Sequence, residues 1–503
     1  MKKIILIIVT VCIISCPTKT FAQETLQSAD SEIISPVITS EDYIEFGKKG
    51  LFDATDSTLL DEEGLPTYMW EFSDTNFSSF GQEVVHEFTN TGKHNVTLTI
   101  LQGEYEEFVT KEVFVYDTQI LLITDQTKSD NFSQIEDQAA NQGVLLKVIS
   151  TVEEETGFLT EEKLIPLISE ENEYINTADA IIFYTESSVG LQAFSRYAQS
   201  LDENKKIDTT EKKFIQITDD NMGIAAKLAQ QSYEVFKPEF IILTRQEAIN
   251  PIFETEDFNS LTTTLSNRAI EFRIIDSRSE KSAVFFLSRA VTNFIAKGIP
   301  TNTVYMLLVF PIIAFIIVFI RQVVGITTYG VFTPLVIALA LYLLGIAMGL
   351  LILLVIVGIS YLLRKILNKF KLLYIPKTGL VLSFVGLSFL GMIWFLSYYR
   401  ISLAISVAIF PMLVMSTLSE KFLSAQSEAG LKEALWGALS SVIVSVVAYY
   451  LIVWNSFYTL IMSWPELVIL PILGIIILGR FTGLRLTEYI RFRSLFQEKN
   501  IEE

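Results

Sequence analysis

Apolar residues dominate the chain from about Val304 to Arg480, and seven runs there are long enough to cross a lipid bilayer. A spanning helix needs about 20 mainly apolar residues, because the hydrocarbon core is about 30 Å thick and each helical residue rises about 1.5 Å. The runs cover residues 303–320, 329–345, 347–363, 378–397, 401–418, 435–454 and 459–479. This pattern predicts a seven-helix, all-α transmembrane bundle over residues 298–495 rather than a buried bundle in a soluble protein.

Short β-branched runs alternate with helix-like stretches between residues 118 and 297. The predicted strands cover residues 119–124, 144–150, 180–185, 214–218, 239–244 and 272–276. Such alternation predicts right-handed βαβ units around a mainly parallel sheet, and hence a doubly wound, Rossmann-like α/β domain. A last helix over residues 282–297 leads to Gly298 and Pro300, which mark the break before the first span.

Residues 41–117 alternate between apolar and polar side chains in short runs separated by turn residues. A period of two at this spacing predicts an Ig-like β-sandwich. The preceding residues, 23–40, are polar and indicate a linker.

The first 22 residues have the form of a secretory signal peptide. Met1-Lys2-Lys3 precedes a short apolar run, and the stretch ends at Ala22, after which we expect cleavage. An alternative stays open, because residues 13–16 resemble a bacterial lipobox that would leave Cys16 lipidated at the mature N-terminus.

The distribution of charge predicts the orientation of the chain. Its net charge is −19, yet residues 301–503 carry 14 cations and 8 anions, so residues 1–300 carry −25. With the N-terminal domains exported and the C-terminus in the cytoplasm, 13 of those cations fall in inner loops and only Arg400 in an outer one. The positive-inside rule therefore predicts a multi-pass membrane protein with this orientation, and the form of the signal peptide indicates a bacterial cytoplasmic membrane. The acidic exported part excludes nucleic acid as a partner.

Cysteine and histidine usage limits the chemistry that the chain can perform. Cys12 and Cys16 both lie in the signal peptide, and His86 and His94 both lie in the β-sandwich. After cleavage at Ala22 no disulfide, thiolate metal site or cysteine nucleophile remains. The remainder of the chain also lacks the histidine of a Ser–His or Cys–His unit, so we expect neither a catalyst nor a cofactor.

Acidic residues follow several of the predicted parallel strands, at the edge where α/β folds bind ligands. They are Asp125, Glu186 and the pair Asp219-Asp220. Carboxylates there could hold a divalent cation, but a solvated acidic rim is the favoured interpretation. Residues 124–128 lack the glycines of a phosphate loop, which argues against a dinucleotide site.

The predicted β-sandwich resembles a PKD (polycystic kidney disease) domain. The resemblance rests on the segments 52–54, 68–74 and 86–88 and on residues 92–99, in the family's order and spacing. Two residues depart from the pattern: Ser73 replaces a glycine and His94 replaces a tyrosine. The family implies a spacer or adhesion module, with Trp70 buried between the sheets.

Three of the sandwich's carboxylates could gather a hard cation, although turn chemistry explains them more simply. They are Asp53, Asp56 and Asp74. We expect His86 to be a hydrogen-bonded structural residue rather than a ligand.

Three stretches of the membrane region are distinctive beyond their hydropathy. Residues 325–334, before the second span, contain Gly325, Thr327, Gly330 and Pro334, which suggest a broken or re-entrant helix start. The other two stretches, 419–434 and 465–493, supply charges that we expect at the inner surface, either paired into a cap or exposed to a partner. These charged residues are Glu420, Glu428, Glu433, Arg480, Arg485, Glu488 and Arg491.

Together these stretches resemble the bacterial seven-transmembrane domain that is usually fused to an inactive transglutaminase-like domain. A PKD-like and an α/β domain stand here where the transglutaminase-like domain would be. The resemblance implies a membrane component of a peptide- or envelope-modifying system, alongside an ATP-grasp ligase-like cytoplasmic protein.

We therefore expect a non-enzymatic envelope protein, in which an extracytoplasmic binding or sensing cap stands on a membrane scaffold that recruits a partner. Membrane lipid surrounds the scaffold, and an extracellular protein or glycan would be the ligand of the cap. The alternative is a transporter or flippase for a solute or lipid, suggested by prolines inside the spans: Pro311, Pro334, Pro411 and Pro471.

Overall fold

The computed structural model describes residues 34–491, with gaps at 61–63, 127–129, 153, 155, 202–206, 208, 210–211, 256–257, 277–285, 368, 371–373, 399–420, 423, 427, 482 and 484. The predicted signal peptide, the lipobox alternative, most of the predicted linker and the predicted fifth span therefore lie outside the described residues. The chain forms two compact units. One is β-rich, and the other contains both the α/β domain and the membrane helices.

The β-rich unit is a sandwich of short strands. Its strands are β1 (Tyr43–Glu45), β2 (Lys49–Asp53), β3 (Thr67–Phe72), β4 (Ser78–Phe80), β5 (Glu83–Glu87), β6 (Gly92–Gln102) and β7 (Tyr105–Tyr116). One sheet has the order β1-β7-β6-β3-β4, and β2 pairs with β5 beside it. Trp70 of β3 is fully buried, and its ring centroid lies 6.1 Å from that of Phe52 on β2, so aromatic rings join the two sheets.

The two residues that depart from the PKD pattern contact each other. The Ser73 hydroxyl lies 3.1 Å from Nδ1 of His94, and it also accepts a hydrogen bond from the backbone N–H of Asn95. A serine hydroxyl and an imidazole therefore satisfy one another at this corner.

The other histidine and the turn carboxylates of the sandwich have structural contacts. Nε2 of His86 lies 2.9 Å from Asp74, and its ring stacks on Phe72 at a centroid distance of 3.8 Å. Asp53 accepts the backbone N–H of Thr55 at 2.7 Å, as in an Asx turn. These contacts favour the structural interpretation of His86 and the turn interpretation of the carboxylates.

The α/β domain begins the second unit. Its strands are β8 (Thr118–Thr124), β9 (Val144–Ser150), β10 (Ala180–Tyr184), β11 (Lys213–Ile217), β12 (Ile241–Thr244) and β13 (Phe272–Ile275). Its helices are α1 (Asp130–Asn141), α2 (Gly157–Glu170), α3 (Asn172–Thr177), α4 (Val189–Ser200), α5 (Met222–Phe236), α6 (Ile249–Glu254), α7 (Phe258–Asn267) and α8 (Phe286–Ala296).

The sheet order is β9-β8-β10-β11-β12-β13, with the first five strands parallel and β13 antiparallel at the edge. The order reverses between β8 and β10, which is the flavodoxin-like rather than the Rossmann arrangement of a doubly wound sheet. Successive residues of the central strands enter different cores. Leu121 packs with α2, α4 and α5 on one face, and Leu122 packs with α1, α6 and α7 on the other.

The membrane region follows directly. Its helices are α9 (Thr301–Phe319), α10 (Phe332–Leu344), α11 (Ile346–Leu367), α12 (Tyr374–Tyr398), α13 (Leu431–Val453), α14 (Asn455–Ser463), α15 (Ile469–Leu478) and α16 (Leu486–Arg491), with a π-helical turn at Ile320–Val324 and a 3-10 turn at Pro465–Val468.

Within the described part of the chain, three helical stretches are long and apolar enough to cross a bilayer: Thr301–Val324, Ile346–Leu367 and Leu431–Val453. The bent pair formed by α14 and residues 465–478 would be a fourth, and α10 is a shorter apolar helix. The predicted second span, 329–345, becomes α-helical only at Phe332. The preceding loop contains Gly325 and Gly330, which both have a positive φ that an α-helix cannot accommodate.

The predicted last span, 459–479, is not a single straight helix. The chain bends by 102° between α14 and the helix that starts at Pro465. Proline has no backbone N–H to continue the helix and disfavours helical geometry at the residue before it, which is Trp464 here. Helix α14 consequently packs against α5 of the α/β domain instead of extending α15.

The α/β domain and the membrane helices share one apolar core. Phe158 of α2, Leu228 of α5 and Val291 of α8 are buried in the same cluster as Tyr305 of α9 and Tyr342 of α10. Burial of apolar side chains on both sides of a junction holds the two parts as one body.

Trp70 tests the core of the sandwich. We expect Trp70→Ala to destabilise this unit by about 3–5 kcal/mol, because it removes a fully buried aromatic side chain. Phe77→Ala, which changes an aromatic residue that is 85% exposed, should shift stability by less than about 0.5 kcal/mol. Limited proteolysis of the purified full chain would measure both effects, and equal cleavage of the two variants within residues 34–113 would contradict the assignment.

Candidate functional site

The loop before α10, residues 325–331, is held by serines of α13. The Ser440 hydroxyl donates to the carbonyl of Thr327 at 2.5 Å, and the Ser445 hydroxyl donates to the carbonyl of Pro334 at 2.8 Å. Ser441 accepts the backbone N–H of Tyr329 at 2.9 Å. Ser440 and Ser441 thus satisfy backbone groups of the loop that have no helical partner, and Ser445 adds a contact to the first turn of α10.

The same loop brings the three distinctive stretches together. The Tyr329 hydroxyl donates to the carbonyl of Ala434, and its ring packs on Gly437, where an added Cβ would lie 2.7 Å from the ring. Gly325 lies against the side chains of Arg485 and Thr487, with a Cβ position 3.1 Å from Cβ of Arg485. The loop therefore contacts both the start of α13 and residues 485–487. We call this end of the membrane domain, with the described residues of 325–331, 428–434 and 479–488, the far end.

The far end lies opposite the α/β domain. Helix α9 starts beside that domain at Asn302 and ends at the Gly325 loop, whereas α10 and α13 start at this loop and return. Asn302, Tyr342 and Ile452 consequently border one small cavity at the near end.

Charged residues predicted to dock a partner are exposed at the far end. Glu428, Glu433, Arg480 and Arg485 are all exposed, and no ion pair joins these four where the structure describes them. The side chain of Glu488 instead accepts the backbone N–H of Arg485 at 3.1 Å.

Helix α16 ends at Arg491, and Glu420 lies outside the described residues. The salt-bridged cap considered from the sequence is therefore absent between the described pairs.

The acidic residues at the strand ends do not form an open solvated rim. Asp125 is buried, and its carboxylate accepts the backbone N–H of Glu186 at 2.8 Å. Burial raises the pKa of Asp220, and Arg245 donates to the carbonyl of that residue at 2.7 Å. Of the four acidic residues at the strand ends, Glu186 and Asp219 are the exposed ones. Among the described residues no group of three His, Cys, Asp or Glu side chains is placed to hold a metal.

A buried network of polar side chains, which the sequence did not predict, lies where the α/β domain meets the membrane helices. Glu161 of α2 is 1% exposed and accepts a hydrogen bond from the side-chain amide of Asn302 on α9. The Tyr342 hydroxyl of α10 donates to the Asn302 carbonyl oxygen at 3.0 Å. Arg196 of α4 lies 3.6 Å from Glu161 and also pairs with Glu162. This network joins α2 and α4 of the α/β domain to the membrane helices α9 and α10.

A second polar contact crosses the same junction. The Tyr458 hydroxyl of α14 donates to Gln192 of α4 at 3.0 Å, and the ring of Tyr458 lies 4.6 Å from that of Tyr305. A cavity of about 20 Å³, bordered by Gln192, Asn302 and Tyr458, lies between the two contacts. A volume of that size holds one water molecule.

The carboxyl of Glu161 is the titratable group of this junction. Burial raises its pKa to about 7, although Arg196 and the Asn302 amide both lower it. A carboxyl with such a pKa changes charge near neutral pH, at a point that couples two parts of the chain. The sequence signal was weak, since Glu161 stands in an ordinary charged helix and Asn302 is one polar residue at the start of an apolar run.

Two family models match this chain. Residues 261–496 match the family described as seven transmembrane helices usually fused to an inactive transglutaminase, and residues 34–113 match the PKD domain. The first match begins within α7, so it includes β13 and α8 as well as the membrane helices.

Comparisons with individual proteins add little. No curated protein matches the chain. A sialyltransferase structure from Photobacterium damsela is similar at 9% identity and a TM-score of 0.16, over 45% of this chain and 58% of that one. The chain thus spans less than two thirds of that enzyme's length, and a similarity of this size carries no argument about function.

The raised pKa of Glu161 gives the stability of the junction a pH dependence. The folded state holds its proton up to about pH 7, whereas the ordinary pKa is 4.5. The free energy of unfolding that this protonated carboxyl contributes is therefore fully present below pH 4.5. It falls by about 3 kcal/mol as the pH rises to about 7. We expect the thermal midpoint of the full chain to fall between pH 5 and pH 8 in wild type, and to fall less in Glu161→Gln.

Glu170→Gln is the matched control, since this carboxyl lies on the same helix as Glu161 but is exposed. It should keep the pH dependence of wild type. An identical pH profile for wild type and Glu161→Gln would contradict the assignment.

Proposed function

Since the chain carries a PKD domain and a seven-transmembrane domain of the family usually fused to an inactive transglutaminase, we propose that it is a non-enzymatic envelope membrane protein. In this proposal the α/β domain is a binding or sensing cap, and the far end of the membrane domain recruits a cytoplasmic partner. The observation that carries the proposal is the shared core, in which helices of the cap and membrane helices are buried together.

The junction supports transmission of a signal from the cap to the membrane helices. It is tightly packed, and the carboxyl of Glu161 within it changes charge near neutral pH. Glu161 contacts Asn302 directly, so ionisation of this carboxyl or movement of α2 changes the contacts of α9 and α10. Coupling between two sites requires such an element, whose arrangement both sites influence.

The membrane helices connect the junction to the far end. Helix α9 begins at the junction and ends beside Gly325, whose neighbours are Arg485 and Thr487. Helix α10 begins after the same loop and returns to Tyr342. A displacement of either helix therefore acts on the surface formed by the three distinctive stretches.

The charges of the far end support recruitment. Carboxylates and guanidinium groups that remain exposed and without partners among the described residues are available to a complementary surface. An ATP-grasp ligase-like protein is the partner that we propose, as part of a peptide- or envelope-modifying system.

Transport of a solute or lipid is the second candidate, and the bend of 102° between α14 and α15 favours it. Discontinuous membrane helices commonly form the substrate sites of transporters. The serine contacts to residues 327, 329 and 334 favour a fixed scaffold instead, because the backbone groups around the broken start of α10 are satisfied within the protein.

Recruitment is tested by cross-linked affinity purification of the full chain from native membranes, comparing wild type with a Glu433→Ala, Arg480→Ala double variant. We expect an ATP-grasp ligase-like protein with wild type and at least a several-fold loss with the variant, since both side chains are exposed at the far end. Lys365→Ala with Lys369→Ala is the control, because these exposed cations lie at and just after the end of α11, outside the three stretches.

Equal recovery of the partner from all three proteins would show that the proposed residues do not dock it. Absence of the partner from wild type would overturn the recruiting scaffold.

Transport is measured separately, with purified chain reconstituted into liposomes. The scaffold proposal expects movement of fluorescent lipid across the bilayer no faster than in liposomes without protein. Faster movement that depends on the chain would favour the transporter.

A further inference from the structure

A groove of about 830 Å³ opens on the α/β domain beside the membrane helices. Helices α5 and α8 and strand β13 line it, together with the turn between α14 and α15 at residues 462–464. Ligand sites for small molecules commonly have volumes of about 300–1,000 Å³, so the groove is large enough for a lipid headgroup.

The groove is basic within an acidic part of the chain. Among the described residues that line it, the cations Lys227, Arg273 and Arg289 outnumber one carboxylate, Glu234, and a second carboxylate, Glu466, lies near Lys227. Residues 1–300 as a whole carry −25, so this concentration of cations is a local reversal of charge. A cationic lining in an otherwise acidic domain selects an anion and repels cations.

Lys227 lies at the membrane side of the groove. Its Nζ atom lies 3.2 Å from the centroid of the Trp464 ring and donates to the carbonyl of Ser463 at 3.4 Å. Burial lowers the pKa of Lys227, and a bound anion would offset that effect. Lys227 therefore links the groove to Trp464, the aromatic residue at the bend between α14 and α15.

The turn that closes the groove is fixed by the α/β domain. Gln231 donates to the carbonyl of Met462 at 3.3 Å. The backbone N–H and hydroxyl of Ser288 both donate to the carboxylate of Glu466 at 2.8 Å. These contacts preform the site, so a ligand does not have to order it.

An apolar surface begins where the groove ends. Helix α15 follows Trp464 by a few residues, and its large side chains are half or more exposed at Ile469, Leu470, Leu473, Ile476 and Ile477. Tryptophan is enriched at the boundary between headgroups and hydrocarbon. The basic groove thus lies at headgroup level, above a helix face suited to acyl chains.

From this arrangement we propose that the groove binds the phosphate-bearing headgroup of an anionic lipid, whose acyl chains lie along α15. Guanidinium and ammonium groups supply the charge-assisted hydrogen bonds that a phosphate requires. The site goes beyond the proposed function, because lipid binding there needs neither a partner at the far end nor transmission through α9.

The test is native mass spectrometry of the purified, delipidated full chain, titrated with phosphatidylglycerol or with phosphatidylcholine. We expect preferential binding of phosphatidylglycerol, reduced about tenfold by Lys227→Gln with Arg273→Gln, since each cation near an anionic headgroup contributes to affinity. A control that replaces Lys237 and Arg268 with Gln, outside the groove lining, should bind as wild type does.

Three results would overturn the proposal: equal affinity for the two lipids, unchanged binding by the groove variant, or equally tight binding of free glycerol 3-phosphate. The last result would identify a soluble phosphate compound as the ligand. Should the double variant fail to fold, Arg273→Gln alone decides the question, because Arg273 is an exposed residue of an edge strand. Recovery of a partner at the far end is a separate measurement and does not depend on this outcome.

Discussion

Burial of one apolar surface against another at the junction of the α/β domain and the membrane helices governs the rest of the structure. The cluster that includes Phe158, Leu228 and Tyr305 makes a single core out of two regions with different solvents. Once this surface is dry, partners for its polar groups are strongly favoured, since an unpaired buried group costs about 1–3 kcal/mol. The contacts of Glu161, Asn302 and Gln192 are the consequence of that requirement.

The sequence predicted the elements well wherever a period or a composition specified them. The alternation of β-branched runs and helices anticipated the parallel sheet, and apolar runs located the long helices. The sequence did not predict the order of the strands in the sheet, because hydrophobic strands buried on both faces do not indicate which neighbour they pair with. Trp70 was placed correctly since a family pattern, rather than hydropathy, identified its position.

The candidate sites were harder to predict for physical reasons. Gly325, Thr327 and Pro334 were recognisable as a broken helix start, but the serines that contact this loop and helix start lie more than 100 residues away. Glu161 looked like a surface charge because its helix is flanked by other charges, and only tertiary packing buries it. The bend at Trp464-Pro465 overrode an apolar run that otherwise matches a spanning helix, because a local backbone restriction prevailed over hydropathy.

The bend also fixes how much of the bilayer the last crossing can fill. With α14 lying against α5, only residues 465–478 remain to cross, and at about 1.5–2 Å per residue they reach a little over 20 Å. Helix α10, with 13 residues, has nearly the same length, and both pack on α9. Where a hydrocarbon layer of about 30 Å meets these two helices, it has to thin around them. The shortest path between the two leaflets would then run beside α15, directly below the basic groove.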